Sequence, residues 1–581
     1  MNIARYMVII AVIASFGFAT QAKVADPNPC VNLRGDEQII TLRPIPYNGL
    51  YVGPGDQIGT TAYDYQANGS MGQRIMVDDY GQAHINWMWQ DYPGQASRYC
   101  AWNARFSDGS YYGETQASNS WSGYVQIGVT RDADPDDQRS VVCYHYDAGA
   151  GYYGWIDIDQ GNLWGVWPSN PVSPEVADYI WPYVCCAENG NIVMATGDYN
   201  ANAHHLFVTT DEGANWTSVG DFDSTACLSQ FLRASHNSNK VVFVHTQFIT
   251  DTTASGQLDN DVYYMLSTDG GVTWGTRTNI TNYAPSDSVR AYCNVNAVFD
   301  ANDDLHIVWA GRRVTDNYYE ASKIFHWDEV SGNTHIVSSP STYYSDPGGW
   351  WIETATGGDY GGWRLPADQP QLVVDASDNT LYCLWGGNAD YTDASSGGFV
   401  NGEFYGSVSA DAGATWTNWV NLTNTHTPGG GAGACDDEDY FTAHPWVVGD
   451  SIFLSYVEDK DAGGLPQGEG ALTDNPVRCW IFPAFGIAEN GSETPNATTL
   501  SLAPNPATRV TTLSYTVATA GNVDIMLFDA SGRVVEQLDN GYRAAGVYSL
   551  TINTDNLANG TYFVIIDAPD QDASSTLVVV H

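Results

Sequence analysis

Three carboxylates recur in this chain with nearly identical neighbours. Asp211, Asp269 and Asp411 lie in Thr209-Thr-Asp-Glu-Gly-Ala-Asn-Trp216, Ser267-Thr-Asp-Gly-Gly-Val-Thr-Trp274 and Ser409-Ala-Asp-Ala-Gly-Ala-Thr-Trp416. Read one at a time, each is a candidate catalytic acid. Read as a repeat, the pattern Ser/Thr-x-Asp-x-Gly-x-x-Trp describes a turn. The carboxylate accepts backbone N–H groups two or three residues on. Gly213, Gly271 and Gly413 supply a left-handed conformation. Trp216, Trp274 and Trp416 open the next strand and bury a large apolar surface beneath the hairpin.

Other residues carry chemistry of a different kind. Asp132, Asp134, Asp136 and Asp137 crowd oxygen ligands into one short loop, the ligand type that Ca²⁺ takes, although the EF-hand spacing is absent. A solvated acidic loop is the competing reading. Asp300 to Asp304 and Asp436 to Asp439 are further acidic runs, the first at a position where a hairpin turn is required. His84 and His306 occupy equivalent strand positions, three residues before a Trp, which argues for packing because one catalyst would not repeat. Trp350 and Trp351 follow Pro347-Gly-Gly in a predicted loop. Exposed aromatics there would stack on sugar rings, whereas a lid folded onto the rim would bury them.

The elements that must position these residues are short strands. Val77-Asp-Asp-Tyr-Gly-Gln-Ala-His-Ile-Asn-Trp87 is echoed by Phe299 to Trp309 and, one residue longer, by Val374 to Trp385. Each reads as a strand, an Asp/Asn/Gly turn, and a strand alternating toward an aromatic. The Asp-containing turns follow 20 to 40 residues downstream. Four-stranded units repeating at this length predict an all-β, six- or seven-bladed β-propeller over residues 72–487. Its units start near Gly72, Ser122, Tyr179, Cys227, Ala291, Trp363 and Tyr440. Residues 23–71 are placed to donate a strand that closes the ring. No stretch has long helical periodicity.

Residues 1–22 read as a secretory signal, with Arg5, an apolar run from Val8 to Phe18, and Thr20-Gln-Ala22 as the cleavage site. The net charge is −45 with four lysines. Such a surface repels nucleic acid and anionic membranes, and no later segment is apolar for long enough to insert. Ten cysteines in an exported chain are compatible with disulfides, Cys185 and Cys186 pairing elsewhere rather than together. No Cys-x-x-Cys occurs, so zinc is not expected. A polar linker covers residues 488–500. Residues 501–581 then alternate as a small immunoglobulin-like β-sandwich of seven strands.

The repeated turns resemble the Asp-box, or BNR, repeat of sialidase-like β-propellers, where they close outer hairpins away from the ligand face. The resemblance implies a fold more firmly than an activity. A sialidase would need three arginines around a substrate carboxylate, a Tyr–Glu nucleophile and an Asp acid/base. Arg43, in Leu42-Arg-Pro-Ile-Pro46, is the candidate first arginine, with an added proline that removes a strand donor. Arg233, Arg290, Arg312, Arg313 and Arg364 are later candidates. Leu502-Ala-Pro-Asn-Pro506, Gly532-Arg-Val-Val535 and Asn559-Gly-Thr-Tyr562 resemble the C-terminal sorting domain of the type IX secretion system, although relatives end in Lys or Arg rather than His581.

Together these readings predict a secreted or cell-surface propeller binding a glycan or other extracellular polymer, with a sialidase-like glycoside hydrolase as the alternative and a surface-layer component as a third. The expected partners are that polymer and the type IX machinery, with no nucleic acid and no direct membrane insertion. No cofactor is required, and calcium is the metal the acidic loops would hold.

Overall fold

The computed structural model describes residues 53–90, 97–118, 121–132, 134–147, 151–168, 179–198, 201–223, 225, 228–249, 258–314, 321–338, 350–352, 360–388, 392–485, 499–503, 505–517, 521–529, 533–543, 546–568 and 573–581. The expected signal segment, Arg43, most of the loop before Trp350 and most of the linker lie outside them. The described residues hold strands and two short 3-10 turns, with no α-helix among them. Among the described residues no helix is long and apolar enough to cross a membrane.

Between residues 75 and 483 the strands fall into seven successive antiparallel units. Their first strands are Ile75–Val77, Ser122–Val129, Tyr179–Cys186, Gln230–Ala234, Val289–Phe299, Ala367–Asp375 and Asp437–Ala443. Units one, three and six each form a four-stranded sheet in chain order, and unit two has three strands. Units four and five are hydrogen-bonded into one sheet where Asn260 meets Ala291. Unit seven has three strands of its own and takes its fourth, outermost strand from Asp56–Thr61, which pairs with Asn475–Pro483. Each first strand lies against that of the next unit, and Asp437–Ala443 returns against Ile75–Val77. The order of neighbours is therefore cyclic.

Apolar side chains fill the space between units. Trp87, Trp102, Trp309 and Trp385 are essentially inaccessible, and the cores of neighbouring units run together. Each such aromatic buries 150–250 Å² in general, which makes the inter-unit faces the main source of stability.

The three repeated turns adopt one conformation. In the first, the Thr209 hydroxyl donates to Asp211 Oδ1 at 2.9 Å and accepts the Gly213 N–H at 2.8 Å, while Asn215 N–H donates to Asp211 Oδ1 at 2.8 Å. The other two repeat these bonds through Ser267, Gly271 and Thr273, and through Ser409, Gly413 and Thr415. The carboxylate thus reaches N–H groups mainly four residues on, rather than two or three, and the Ser/Thr hydroxyl is an equal partner. Gly213, Gly271 and Gly413 are left-handed at φ 85°, 85° and 83°, and so are the preceding Glu212 and Ala412. Trp274 and Trp416 are half-buried and donate through Nε1 to the carbonyl of their own turn glycine. Unit five has a shortened version, in which Asp328 accepts the Ser331 N–H and Gly332 is left-handed.

Disulfides do not form among the described cysteines. Cys100, Cys143, Cys185, Cys186, Cys383, Cys435 and Cys479 are buried, unbridged thiols, with burial pushing the Cys186 thiol up to about 12. All but Cys435 fill strand positions facing the core, where a thiol packs as a small apolar group.

Residues 499–579 form a separate set of seven described strands in two antiparallel sheets. One sheet holds Thr499–Ala503, Val510–Val517 and Gly546–Asn553, and the other holds Val534–Arg543, Gly521–Asp529, Gly560–Asp567 and Ala573–Val579. Leu513 and Tyr515 from the first meet Ile525, Leu527, Val564 and Leu577 from the second in one core. The terminal His581 is tied down, its ring nitrogens 2.7 Å and 2.9 Å from the carbonyls of Thr508 and Leu557.

Candidate functional site

The centre of the cyclic array is where functional side chains from several units can converge, and the chain itself occupies one end of it. After the strand Asp56–Thr61, residues 62–74 run inward, and Tyr63, Gln66, Ser70 and Met71 are almost wholly buried. The Gln66 amide donates to the Met88 carbonyl in unit one at 3.0 Å. Gln126 of unit two accepts the Gln73 N–H, and the Tyr183 hydroxyl of unit three donates to the Ser70 carbonyl. Arg233 of unit four donates to Gln73 Oε1 at 2.7 Å, and Ser70 Oγ donates to the Cys293 carbonyl of unit five at 3.0 Å. Tyr65 sits edge-on to Trp363, just before unit six, and to Tyr440 of unit seven. Glycine is required twice here: a Cβ on Gly69 would lie 2.2 Å from the Leu228 carbonyl, and one on Gly72 would lie 2.0 Å from Gln126.

The first strands are shaped to receive this segment. Tyr124, Trp181, Gln369 and Tyr440 all take left-handed backbone near φ 50° in the first strands of units two, three, six and seven. The register shifts beside Tyr124, Gln369 and Tyr440, so each of those strands bulges there. A bulge re-aims a side chain. Three of these are buried aromatics that sequence periodicity places on an ordinary strand. The local signal was a bulky residue next to Gly123 or Pro182, neither of which favours a regular ladder.

At the other end of the first strands is a cavity of about 340 Å³. Its wall comes from the ends of the first strands of units one to four and from the turns after those of units six and seven, and Gln73 contributes from the central segment. Trp446 is half-buried there, with the exposed His236 ring 5.5 Å away. Arg131 touches His236 and pairs with Glu188 at 2.7 Å and Asp79 at 3.4 Å. Although its ring is open to solvent on one side, partial desolvation by the surrounding protein, and then the charge of Arg131, push His236 below the usual imidazole range, so its ring is neutral near pH 7. His444 is pushed down further by complete burial and by Arg233, and its Nδ1 accepts the Val77 N–H at 3.1 Å. The cavity therefore presents an indole face, a neutral imidazole and a guanidinium already balanced by carboxylates. That set suits stacking and hydrogen bonding to a polyhydroxylated ligand.

The residues singled out from sequence lie elsewhere. Asp211, Asp269 and Asp411 are locked into their turns, and hydrogen bonds hold the Asp211 carboxyl low, led by those from Asn215. Trp350 and Trp351 are not exposed. Trp351 is 1 % accessible and packs against Trp385, Tyr405 and Trp419, while Trp350 lies beneath Lys323 and Arg313. The Trp351–Ile352 strand pairs with the third strand of unit five, which draws both rings into the core. Asp132, Asp134, Asp136 and Asp137 are exposed, the first two preceding and the last two forming part of the Pro135–Asp137 3-10 turn, with Asp132 accepting the Asp134 N–H and Asp134 the Asp136 N–H.

Among the described candidates, Arg290 and Arg312 are direct cross-strand partners, and Arg233, Arg290, Arg312 and Arg364 are engaged by protein groups. Arg233 donates to the Ala297 carbonyl, Arg290 to carbonyls of Pro285 and Asp287, Arg312 to Asp259, and Arg364 to Asp437 and Asp439. A close Tyr–carboxylate pair does exist, Tyr144 with Asp157, but both are sealed inside unit two.

Comparisons with known proteins divide at the linker. Residues 501–580 match the family described as the secretion system C-terminal sorting domain. This segment is a type IX sorting domain. It addresses the chain to the type IX secretion machinery and makes it a secreted or cell-surface protein. No curated protein matches the chain. Among solved structures, a polysaccharide lyase, PL25 ulvan lyase, bound to -[GlcA(1-4)Rha3S]- is 9 % identical with a TM-score of 0.49, over 74 % of this chain and 96 % of that one. The Penicillium chrysogenum α-L-arabinanase complexed with arabinobiose is 10 % identical at a TM-score of 0.36, over 61 % and 92 %. PorZ, a surface component of the type IX secretion system of Porphyromonas gingivalis, is 11 % identical at 0.37, over 90 % and 61 %.

Proposed function

We propose that this exported protein is a seven-bladed β-propeller of the Asp-box type, followed by an immunoglobulin-like sorting unit, and that it binds an extracellular glycan. Seven antiparallel units in cyclic order support the propeller reading, as does the terminal strand that completes unit seven. The three turns with one hydrogen-bond pattern support the Asp-box assignment.

The observation that carries the binding reading is the central cavity beside Trp446, His236 and Arg131. The opposite end of the centre is filled by residues 62–74. Binding is preferred over glycoside hydrolysis because Arg233, Arg290, Arg312 and Arg364 are already engaged by protein carbonyls and carboxylates and the Tyr144–Asp157 pair is buried.

The test is affinity electrophoresis of the full exported chain against a panel of neutral, uronate-containing and sulfated polysaccharides. Retardation by at least one polymer, weakened tenfold or more by Trp446→Ala with no new reducing ends, is the expected result. Binding unaffected by Trp446→Ala would remove the cavity from consideration, and release of oligosaccharides would favour the hydrolase.

A further inference from the structure

At the head of unit seven the interior carries more negative charge than its cations balance. Asp64, Asp436, Asp437, Glu438, Asp439, Glu458, Asp459 and Asp461 are all less than 9 % accessible, and the cations among them are Arg364, Lys460 and Arg478. Lys460 is committed to Asp436 and Glu458, and Arg478 to Glu458. Arg364 reaches Asp437 and Asp439. Arg364 lowers the Asp64 carboxyl and feels the charge of Asp459, but its close contacts are with Asp437 and Asp439. Burying a carboxylate without a partner costs several kcal/mol in general, so an arrangement of this kind requires either protons or a cation.

The geometry favours a cation. Ligand oxygens of Asp437, Asp439 and Asp459 lie within 4.8 Å of one another, on two adjacent strands. Two oxygens, one on a member of the cluster and one on Asp64, lack a partner. Asp459 Oδ1 accepts the Asp461 N–H at 3.1 Å, but its Oδ2 is buried without any hydrogen bond. Asp64 Oδ2 accepts the Leu465 N–H at 2.7 Å, and its Oδ1 is likewise buried and unsatisfied. Among charged neighbours, Asp64 weighs most on Asp459. Buried polar atoms are satisfied in the great majority of cases, so an orphaned oxygen within the three clustered carboxylates and another on Asp64 point to a partner there.

We propose that Asp437, Asp439 and Asp459, with Asp64 facing them, form a binding site for a hard divalent cation of the calcium class. Oxygen-only ligands exclude the softer metals that prefer nitrogen or sulfur. Asp64 belongs to the central segment and Asp459 to the blade, so the ion would tie residues 62–74 to unit seven. The site is distinct from the exposed Asp132–Asp137 turn.

The full chain, stripped with EDTA, is titrated with CaCl₂ by calorimetry, and thermal unfolding is followed with and without the ion. The expected result is one bound ion per chain and a higher Tm in calcium, since a ligand that binds only the native state stabilises it. Asp459→Asn should lose at least tenfold in affinity and most of the calcium-induced shift. In EDTA it should be at least as stable as the parent, because the uncompensated charge is gone. Asp132→Asn/Asp134→Asn should bind as the parent does. An unchanged Tm in calcium and EDTA, a calcium response that survives Asp459→Asn, or one abolished by the Asp132/Asp134 pair would overturn the site. If Asp459→Asn does not fold, Asp64→Asn replaces it and the same outcomes decide.

Discussion

His306 Nε2 lies 3.6 Å from Asp300 Oδ2, and the same pair recurs in unit one, where His84 Nε2 lies 3.3 Å from Asp78 Oδ2. In both the carboxylate also organises the hairpin turn, accepting the Asn302 and Asp304 N–H groups in one case and those of Tyr80 and Gln82 in the other. Burial would raise the Asp300 carboxyl, but the His306 contact, then hydrogen bonds from Asn379 and the Asp304 N–H, hold it down to about 2. Its stabilising contribution is therefore full above the unfolded value near 4 and is lost as pH falls toward 2. Asp300→Ala should cost roughly 2–4 kcal/mol in urea unfolding at pH 7, because it strands several donors. The difference from the parent should shrink on going from pH 5 to pH 2.5. A constant difference across that range would mean that the ionised carboxylate is not what matters.

The glycines of the three repeated turns make a second prediction. A Cβ on Gly413 would lie 2.0 Å from the His326 ring, and one on Gly271 2.4 Å from Val193, each in the preceding unit. Both positions are also left-handed. Gly413→Ala therefore combines backbone strain with a steric overlap between units and should destabilise by roughly 2–4 kcal/mol. Gly332→Ala, left-handed with nothing within 4 Å of the added carbon, should lose only about 1 kcal/mol. Equal losses at the two positions would show that the turn, not its docking on the neighbouring unit, sets the effect.

Much of this was legible in the residues. The strand–turn–strand repeats and the Asp-containing turns indicate an all-β chain, and the expected unit start at Ser122 coincides with an observed strand start. The Pro-Asn-Pro, Gly-Arg-Val-Val and Asn-Gly-Thr-Tyr stretches point to the sorting domain. What could not be read was long-range. Tyr63 to Arg74 looks like a polar, glycine-bearing loop, and only packing against every unit buries it. Trp350 and Trp351 look exposed because nothing within ten residues covers them, yet Trp385, Tyr405 and Trp419 do. The charge balance of Asp437, Asp439 and Asp459 depends on Arg364 and Asp64, which are far away in sequence.

Asp157 predicts an unusual pH dependence. Burial pushes its carboxyl up to about 7, only partly offset by the Tyr144 hydroxyl. A raised carboxyl contributes stability that is full below the unfolded value near 4 and is lost as pH rises through 7. The shift corresponds to an upper bound of about 4 kcal/mol. Asp157→Asn should preserve the contact with Tyr144 and remove the cost of ionisation. It should unfold at higher urea than the parent at pH 8 and at nearly the same urea at pH 4.5. A variant less stable than the parent at pH 8 would sink this reading.

Trp351 and Trp446 separate stability from binding. Trp351 is enclosed by three aromatics, with ring centres 5.0 to 6.0 Å away. Trp351→Ala should cost roughly 3–5 kcal/mol, the usual price of emptying a large aromatic site in a close-packed core. Trp446 is half-buried at the cavity, with its ring beside His236. Trp446→Ala should leave the unfolding midpoint within about 1 kcal/mol of the parent while weakening polysaccharide retardation. The complementary substitution Trp351→Phe keeps most of the volume and should restore folding without altering affinity. If Trp351→Phe weakens retardation as much as Trp446→Ala does, the ligand contacts the face near unit six and the cavity at the strand ends is not the site.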